Sequence, residues 1–176
     1  GYTITEYSDI GVLDLNSVHS PDSSFTIEFS VKENGIIDTS RAVNYLTFGY
    51  QIRGRAGVTI TVGRDVGSKY VVVGTITEQG MDKALTINTV KFETEPDVVY
   101  DYTLYYNHFG TDDQKLKIFR GYDLLASSES MNIKNFSIID RKLFIGSTGW
   151  VNEPSWEGSF DVANNLTFVG TLTFYS

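Results

Sequence analysis

The sequence predicts an all-β domain, an antiparallel two-sheet β-sandwich, and three observations lead there. Val, Ile and Thr number 16, 14 and 18, and Phe, Tyr and Trp add 24, so 72 of 176 residues are of the kinds that fit a pleated surface. Short segments alternate apolar and polar residues with a period of two and are closed by Gly, Asn, Asp or Pro. No long stretch carries the 3.6-residue periodicity of a helix.

The clearest strand is SFTIEFSVK, in which Phe25, Ile27, Phe29 and Val31 point one way and Thr26, Glu28, Ser30 and Lys32 the other. ENG at 33–35 reads as a turn, because Gly35 takes positive φ without steric cost. NYLTFGYQIR, GVTITVGRD and KYVVVGTITE follow as strands, the second alternating Val58, Ile60 and Val62. MDKAL at 81–85 is read as a single helical turn. Pro96 ends the strand TINTVKFETE, and VVYDYTLYYN resumes with Tyr100, Tyr102, Leu104 and Tyr106 on one face. HFGTDDQ is polar and broken by glycine, hence a loop. KLKIFRG, KLFIGS and NLTFVGTLTFYS complete the set of strands.

Length places residues 1–176 in one domain. The absence of cysteine excludes disulfides, thiolate metal sites and cysteine nucleophiles. A net charge of −8, with six arginines and eight lysines scattered, argues against nucleic acid or an anionic membrane as partner. No apolar run reaches the length of a membrane-spanning helix. The start GYTITEYSDI lacks both an initiator Met and the regions of a signal peptide, so the expectation is a module of a larger protein.

The stretch VVYDYTLYYNHFGTDDQKLKIFRGYDLLASSE at 98–129 has a particular order: an aromatic-rich strand, a polar hairpin, a strand closing on Phe119-Arg120-Gly121, and a Leu-Leu strand. With SFTIEFSVK before it and KLFIGSTGW and LTFVGTLTFYS after it, this order resembles the concanavalin A-like and laminin-G-like jelly rolls. Members of that family more often carry Asp or Asn where this chain has Arg120. The resemblance implies a jelly-roll sandwich. It extends to carbohydrate-binding modules of bacterial glycosidases such as sialidases, modules inserted in bacteriophage tail and baseplate proteins, laminin-G domains and a few glucanases.

Glucanases of this architecture carry Glu-x-Asp-x-Glu on one strand, so that carboxylates at alternate positions face the cleft. Here Glu95 and Asp97 are followed by Val99, and Pro96 stands between them. Glu153 and Glu157 lie four residues apart in loop-like text, which fixes no mutual geometry. The two histidines, His19 and His108, belong to no nucleophile motif. The expectation is therefore a non-enzyme with no cofactor. A structural calcium could be held by Thr111-Asp112-Asp113 with Asp9, Asp14 and Asp161, although solvated carboxylates are the commoner fate of such residues.

Both tryptophans fall in IGSTGWVNEPSWEG, six positions apart. A flat, stiff ring covers the C–H face of a sugar, while carboxamides, carboxylates and guanidinium groups read its hydroxyls. Trp156, Glu153, Asn152, Glu157 and Trp150 supply that mixture, with Trp156 as the contact and Trp150, directly after a strand, as a plug closing the sandwich. Tyr50, Arg53 and Arg55 are further carbohydrate-binding candidates, the arginines as clamps for an acidic sugar; Arg64, Asn107, His108 and Tyr122 rank below them.

The functional expectation is a non-catalytic module binding cell-surface or cell-wall glycan, extracellular or on a virion surface. The competing reading is a structural or protein-interaction sandwich in which exposed aromatics anchor an interface.

Overall fold

The computed structural model describes residues 2–4, 11–14, 24–33, 43–48, 57–64, 70–79, 82–133, 142–145 and 170–175. These form twelve strands: β1 (Tyr2–Ile4), β2 (Gly11–Asp14), β3 (Phe25–Glu33), β4 (Val43–Phe48), β5 (Gly57–Arg64), β6 (Tyr70–Gln79), β7 (Asp82–Glu93), β8 (Tyr100–Tyr106), β9 (Leu116–Arg120), β10 (Asp123–Ser127), β11 (Lys142–Ile145) and β12 (Gly170–Tyr175). A short 3-10 turn, Asp112–Gln114, interrupts the β8–β9 connection. The first sheet runs β1-β12-β3-β8-β9-β10 and the second β2-β11-β4-β5-β6-β7, with antiparallel pairing throughout. This is the two-sheet sandwich that the alternating strands predict.

The period of two builds the core. Phe25, Ile27, Phe29 and Val31 from β3 meet Tyr102, Leu104 and Tyr106 from β8 and Leu116 and Ile118 from β9, all buried, against Leu46, Phe48, Ile60, Val62, Val71 and Val73 of the second sheet. Rings stitch the layers together: Phe25 lies 4.9 Å from Phe48 and Tyr45 lies 6.1 Å from Tyr102, centroid to centroid, while Phe29 stacks on Tyr102 within the first sheet at 5.2 Å. Such pairs add to the stabilisation that burial of their area already gives.

Among the described strands three pairings carry a register shift, β4–β5, β6–β7 and β9–β10, and the first and last of these each put an additional side chain inside. The β4–β5 register slips between Asn44 and Leu46, so Tyr45 and Leu46 are both buried. The β9–β10 register slips between Leu124 and Ala126, so Leu125 and Ala126 both face inward. Strict alternation foresees neither.

One further expectation is corrected. Asp82–Leu85 is not helical; it is the start of β7, with Asp82 opposite Gln79 and Ala84 opposite Thr77. A single turn of helix gains too few hydrogen bonds to compete with a ladder of antiparallel ones. β1 and β2, at three and four residues, are too short for alternation to announce.

The connections at 96–97 and 121–122 are chemically specified. Pro96 fixes its own φ and Asp97 takes the left-handed φ of 61°, its N–H donating to the Glu33 carbonyl at 2.7 Å. Arg120 pairs with Asp123 across a two-residue loop in which Gly121 has φ of 58° and Tyr122 stays at negative φ, the type II′ pattern. The Gly121 N–H donates to the Asp101 carbonyl at 2.8 Å. A Cβ at Gly121 would meet nothing within 4 Å, so the penalty for adding one is purely conformational. Gly121→Ala is expected to lower stability by about 1–2 kcal/mol in urea unfolding, with the m-value unchanged.

Candidate functional site

The eight leading candidates, Trp156, Glu153, Asn152, Glu157, Trp150, Arg53, Arg55 and Tyr50, lie outside the described residues. The described strands that flank them are β4 and β5 around 49–56 and β11 and β12 around 146–169. Gly170, which begins β12, pairs with Glu33 at the end of the sandwich where β3 finishes, and β11 runs from Lys142 towards that end, whereas Phe48 pairs with Ile60 near the opposite end, where β3 begins.

Each end presents an exposed ring on a hydrogen-bonded turn. At the β3 start, Asn107, His108 and Phe109 lead off the β8–β9 connection. The Asn107 side-chain oxygen accepts from the Phe109 N–H at 3.2 Å and from the Ser24 hydroxyl at 3.3 Å. The Ser24 hydroxyl in turn accepts from the His108 N–H at 3.0 Å, and Gly110 N–H donates to the Asn107 carbonyl at 3.1 Å. His108 Nδ1 lies 2.9 Å from the Tyr106 hydroxyl, and the His108 ring meets Phe109 edge-on at 5.1 Å and 90°. Phe109 is 81% exposed on this framework. At the other end the type II′ turn carries Tyr122, fully exposed. Asn107, His108 and Tyr122 are therefore surface residues, as a ligand contact requires; Phe109 was missed, and its signal was a large apolar residue inside polar loop text.

The faces between these ends differ. Thr61 alternates with the inward Ile60 and Val62 yet is fully buried, so the outer face of the second sheet is closed to water at that point. The outer face of the first sheet exposes Tyr105 and Leu124, with Phe119 half-buried between Thr103 and Leu124 in the register.

Arg64 is not a ligand clamp. It is almost completely buried, and its Nε and Nη2 donate to Glu33 Oε2 and Oε1, each at 3.1 Å. The Tyr45 hydroxyl donates to the same carboxylate at 2.8 Å. The reason is parity: Arg64 follows Ile60 and Val62 in phase, and Glu33 follows Phe29 and Val31, so each strand's last inward position is charged. That signal is in the sequence.

Glu95 and Asp97 are exposed on the turn after β7, off any strand, so they form no alternating carboxylate row. Of the calcium candidates, Asp9 and Asp161 lie outside the described residues, Asp14 ends β2, and Asp112 and Asp113 sit on the 3-10 turn. Among the described residues no group of three or more His, Asp or Glu side chains converges as metal ligands would.

Compared with known proteins, the sequence matches no protein-family model and no curated protein. Solved structures match by shape. Domains LG4-5 of the mouse laminin α1 chain align at TM-score 0.53 with 11% identity, covering 93% of this chain and 38% of that one. CBM40 of the Ruminococcus gnavus IT-sialidase, bound to α2,3-sialyllactose, aligns at 0.50 with 15% identity, covering 93% and 84%. An alginate lyase, Aly36B, in complex with an alginate trisaccharide, aligns at 0.50 with 12% identity, covering 94% and 71%. The fold is thus the concanavalin A-like, laminin-G-like jelly roll, found in binding modules and in at least one enzyme.

Two predictions concern the buried polar cluster. Removing one charge leaves the other unpaired, so Glu33→Gln and Arg64→Met are each expected to cost about 3–5 kcal/mol in denaturant unfolding, with the double variant costing less than their sum. Burial raises Tyr45 well above its ordinary value, with Tyr102 and Glu33 adding to the effect. Burial likewise lifts Tyr102 to about 12, although the Arg120 guanidinium pulls the other way. Both hydroxyls stay protonated in the folded state at a pH where an unfolded tyrosine, near 10, has ionised, so unfolding releases protons there. Stability is expected to be level below about pH 10 and to fall as the pH climbs towards about 12. Tyrosinate absorbance followed alongside circular dichroism checks this, and Tyr102→Phe should flatten the decline.

Proposed function

We propose that this sandwich is a non-catalytic carbohydrate-binding module whose contacts come from aromatic side chains at the ends of its strands. The observation that carries the reading is that Phe109 and Tyr122 stand in water on turns fixed by hydrogen bonds or by a required backbone geometry. A ring already held in place loses little freedom when a sugar's C–H face settles on it. Asn107, His108, Thr111 and Asp113 surround Phe109 in the chain with the hydrogen-bonding groups that hydroxyls need.

In this reading Trp156 is a second platform, with Asn152, Glu153 and Glu157 reading hydroxyls and Trp150 closing the sandwich, and Tyr50, Arg53 and Arg55 are further contacts. The ligand is a cell-surface or cell-wall glycan, and the setting is extracellular, within a larger bacterial or phage surface-recognition protein. Single sites of this open kind bind weakly, and copies in the parent assembly supply avidity.

The interaction-domain reading has one observation in its favour, the Tyr105, Phe119 and Leu124 row on the outer face of the first sheet. Titration of intrinsic fluorescence with a polysaccharide and oligosaccharide panel decides between them. A saturable change in the wild type is expected, weakened about tenfold or more by Phe109→Ala or Trp156→Ala with circular dichroism unaltered, the loss of roughly one aromatic contact. No response to any glycan, with a stable oligomer in light scattering that Leu124→Glu dissociates, would replace this reading with the other.

A further inference from the structure

The Phe109 turn carries several polar side chains, and its hydrogen bonds separate those already occupied from those able to meet a ligand. The Ser24 hydroxyl accepts from the His108 N–H and donates to Asn107 Oδ1, which also accepts from the Phe109 N–H. Both groups are taken up by the turn itself. Asn107 Nδ2 is turned towards Gly110, where an added Cβ would lie 3.4 Å from it. Thr111 stands at the N-cap of the 3-10 turn with no side-chain capping bond, so the turn does not aim its hydroxyl.

His108 differs from these. Its Nδ1 lies 2.9 Å from the hydroxyl of Tyr106, a fully buried residue whose ring is 5.1 Å from that of Phe25, so the imidazole is anchored to the core. The same imidazole meets the Phe109 ring edge-on at 5.1 Å and 90°. None of the described hydrogen bonds of His108 involves Nε2, and the residue is half-buried on the turn. One imidazole nitrogen is thus held beside an exposed aromatic face with its position fixed from behind. The bond at one nitrogen also sets what the other does: a phenol that donates to Nδ1 leaves the proton on Nε2.

We propose that His108 is the specificity-determining residue of the Phe109 platform. Tyr106 donates to Nδ1 and fixes the tautomer, and the Nε2–H donates to a hydroxyl oxygen of the sugar whose C–H face lies against Phe109. The ligand class follows from this single neutral donor: an uncharged sugar unit with a hydroxyl flanking its apolar face. The assignment rests on the glycan reading and adds to it the group that selects among sugars.

Titration of the intact 176-residue chain with methyl glycosides of glucose, galactose, mannose and N-acetylglucosamine, with their monodeoxy derivatives and with the polysaccharide panel, tests it. The glycan that responds is expected to lose about three- to tenfold in affinity for His108→Phe, which keeps a flat ring without a nitrogen, with circular dichroism unaltered. His108→Gln, which offers an N–H again, should recover part of the loss. Removing one particular hydroxyl from a bound glycoside should weaken wild-type binding by a similar factor and leave binding to His108→Phe unchanged, because the pair is then already broken. Imidazole proton–nitrogen correlation spectra in mildly alkaline buffer are expected to place the proton on Nε2, and to show Nε2 shifting on glycan addition while Nδ1 holds. A glycan whose binding is lost in Phe109→Ala but intact in His108→Phe, or a proton found on Nδ1, would overturn the role of His108 and leave the glycan reading standing. No response to any glycan would overturn both.

Discussion

A carboxylate and a guanidinium shut between two apolar sheets constrain this molecule more than any other contact. Glu33 ends β3 in one sheet and Arg64 ends β5 in the other, and neither is tolerable in the interior alone. Their paired geometry therefore fixes how the sheets face each other at that end. Tyr45 reaches the same carboxylate only because the bulge in β4 turns it inward, so a local irregularity serves a long-range contact. Phe25 on Phe48 does the corresponding work at the far end with dispersion alone. The two ends are thus held by different physics, one directional and one adaptable.

The rigid middle leaves variation to the ends. Strand parity commits every inward position to packing, and the buried Thr61 shows that part of one outer face is committed as well. The large rings left in water are carried by turns, where backbone groups are satisfied locally. The Ser24–Asn107–His108 hydrogen bonds illustrate how: they spend side-chain polar groups on the backbone of the turn and release Phe109 to face outward.

The sequence is legible where one periodicity governs. Residues 25–31 predict their faces correctly, as do Ile60 and Val62, because each inward residue has an apolar counterpart two positions away. It fails at Tyr45 and Leu125, since a bulge is a choice of register that belongs to two strands at once. Arg64 is a site candidate by its charge, whereas its phase with Ile60 and Val62 puts it inside, as the phase of Glu33 with Phe29 and Val31 does. Phe109 has no signal in the sequence beyond being a large apolar residue in polar text, yet an exposed ring on a fixed turn offers the same flat face as a tryptophan. Arg120 follows Leu116 and Ile118 in phase, which is why a residue at a hairpin corner ends with one nitrogen in the interior.

Ile145 ends β11 and Gly170 begins β12 at one end of the sandwich, and the places of these two strand ends are set by their partners on β4 and β3. Doubling the length of a connection costs only about 0.6 kcal/mol of closure entropy. A lineage carrying this scaffold can therefore lengthen or exchange what joins these two strands while the sheets and the buried ion pair go on unchanged.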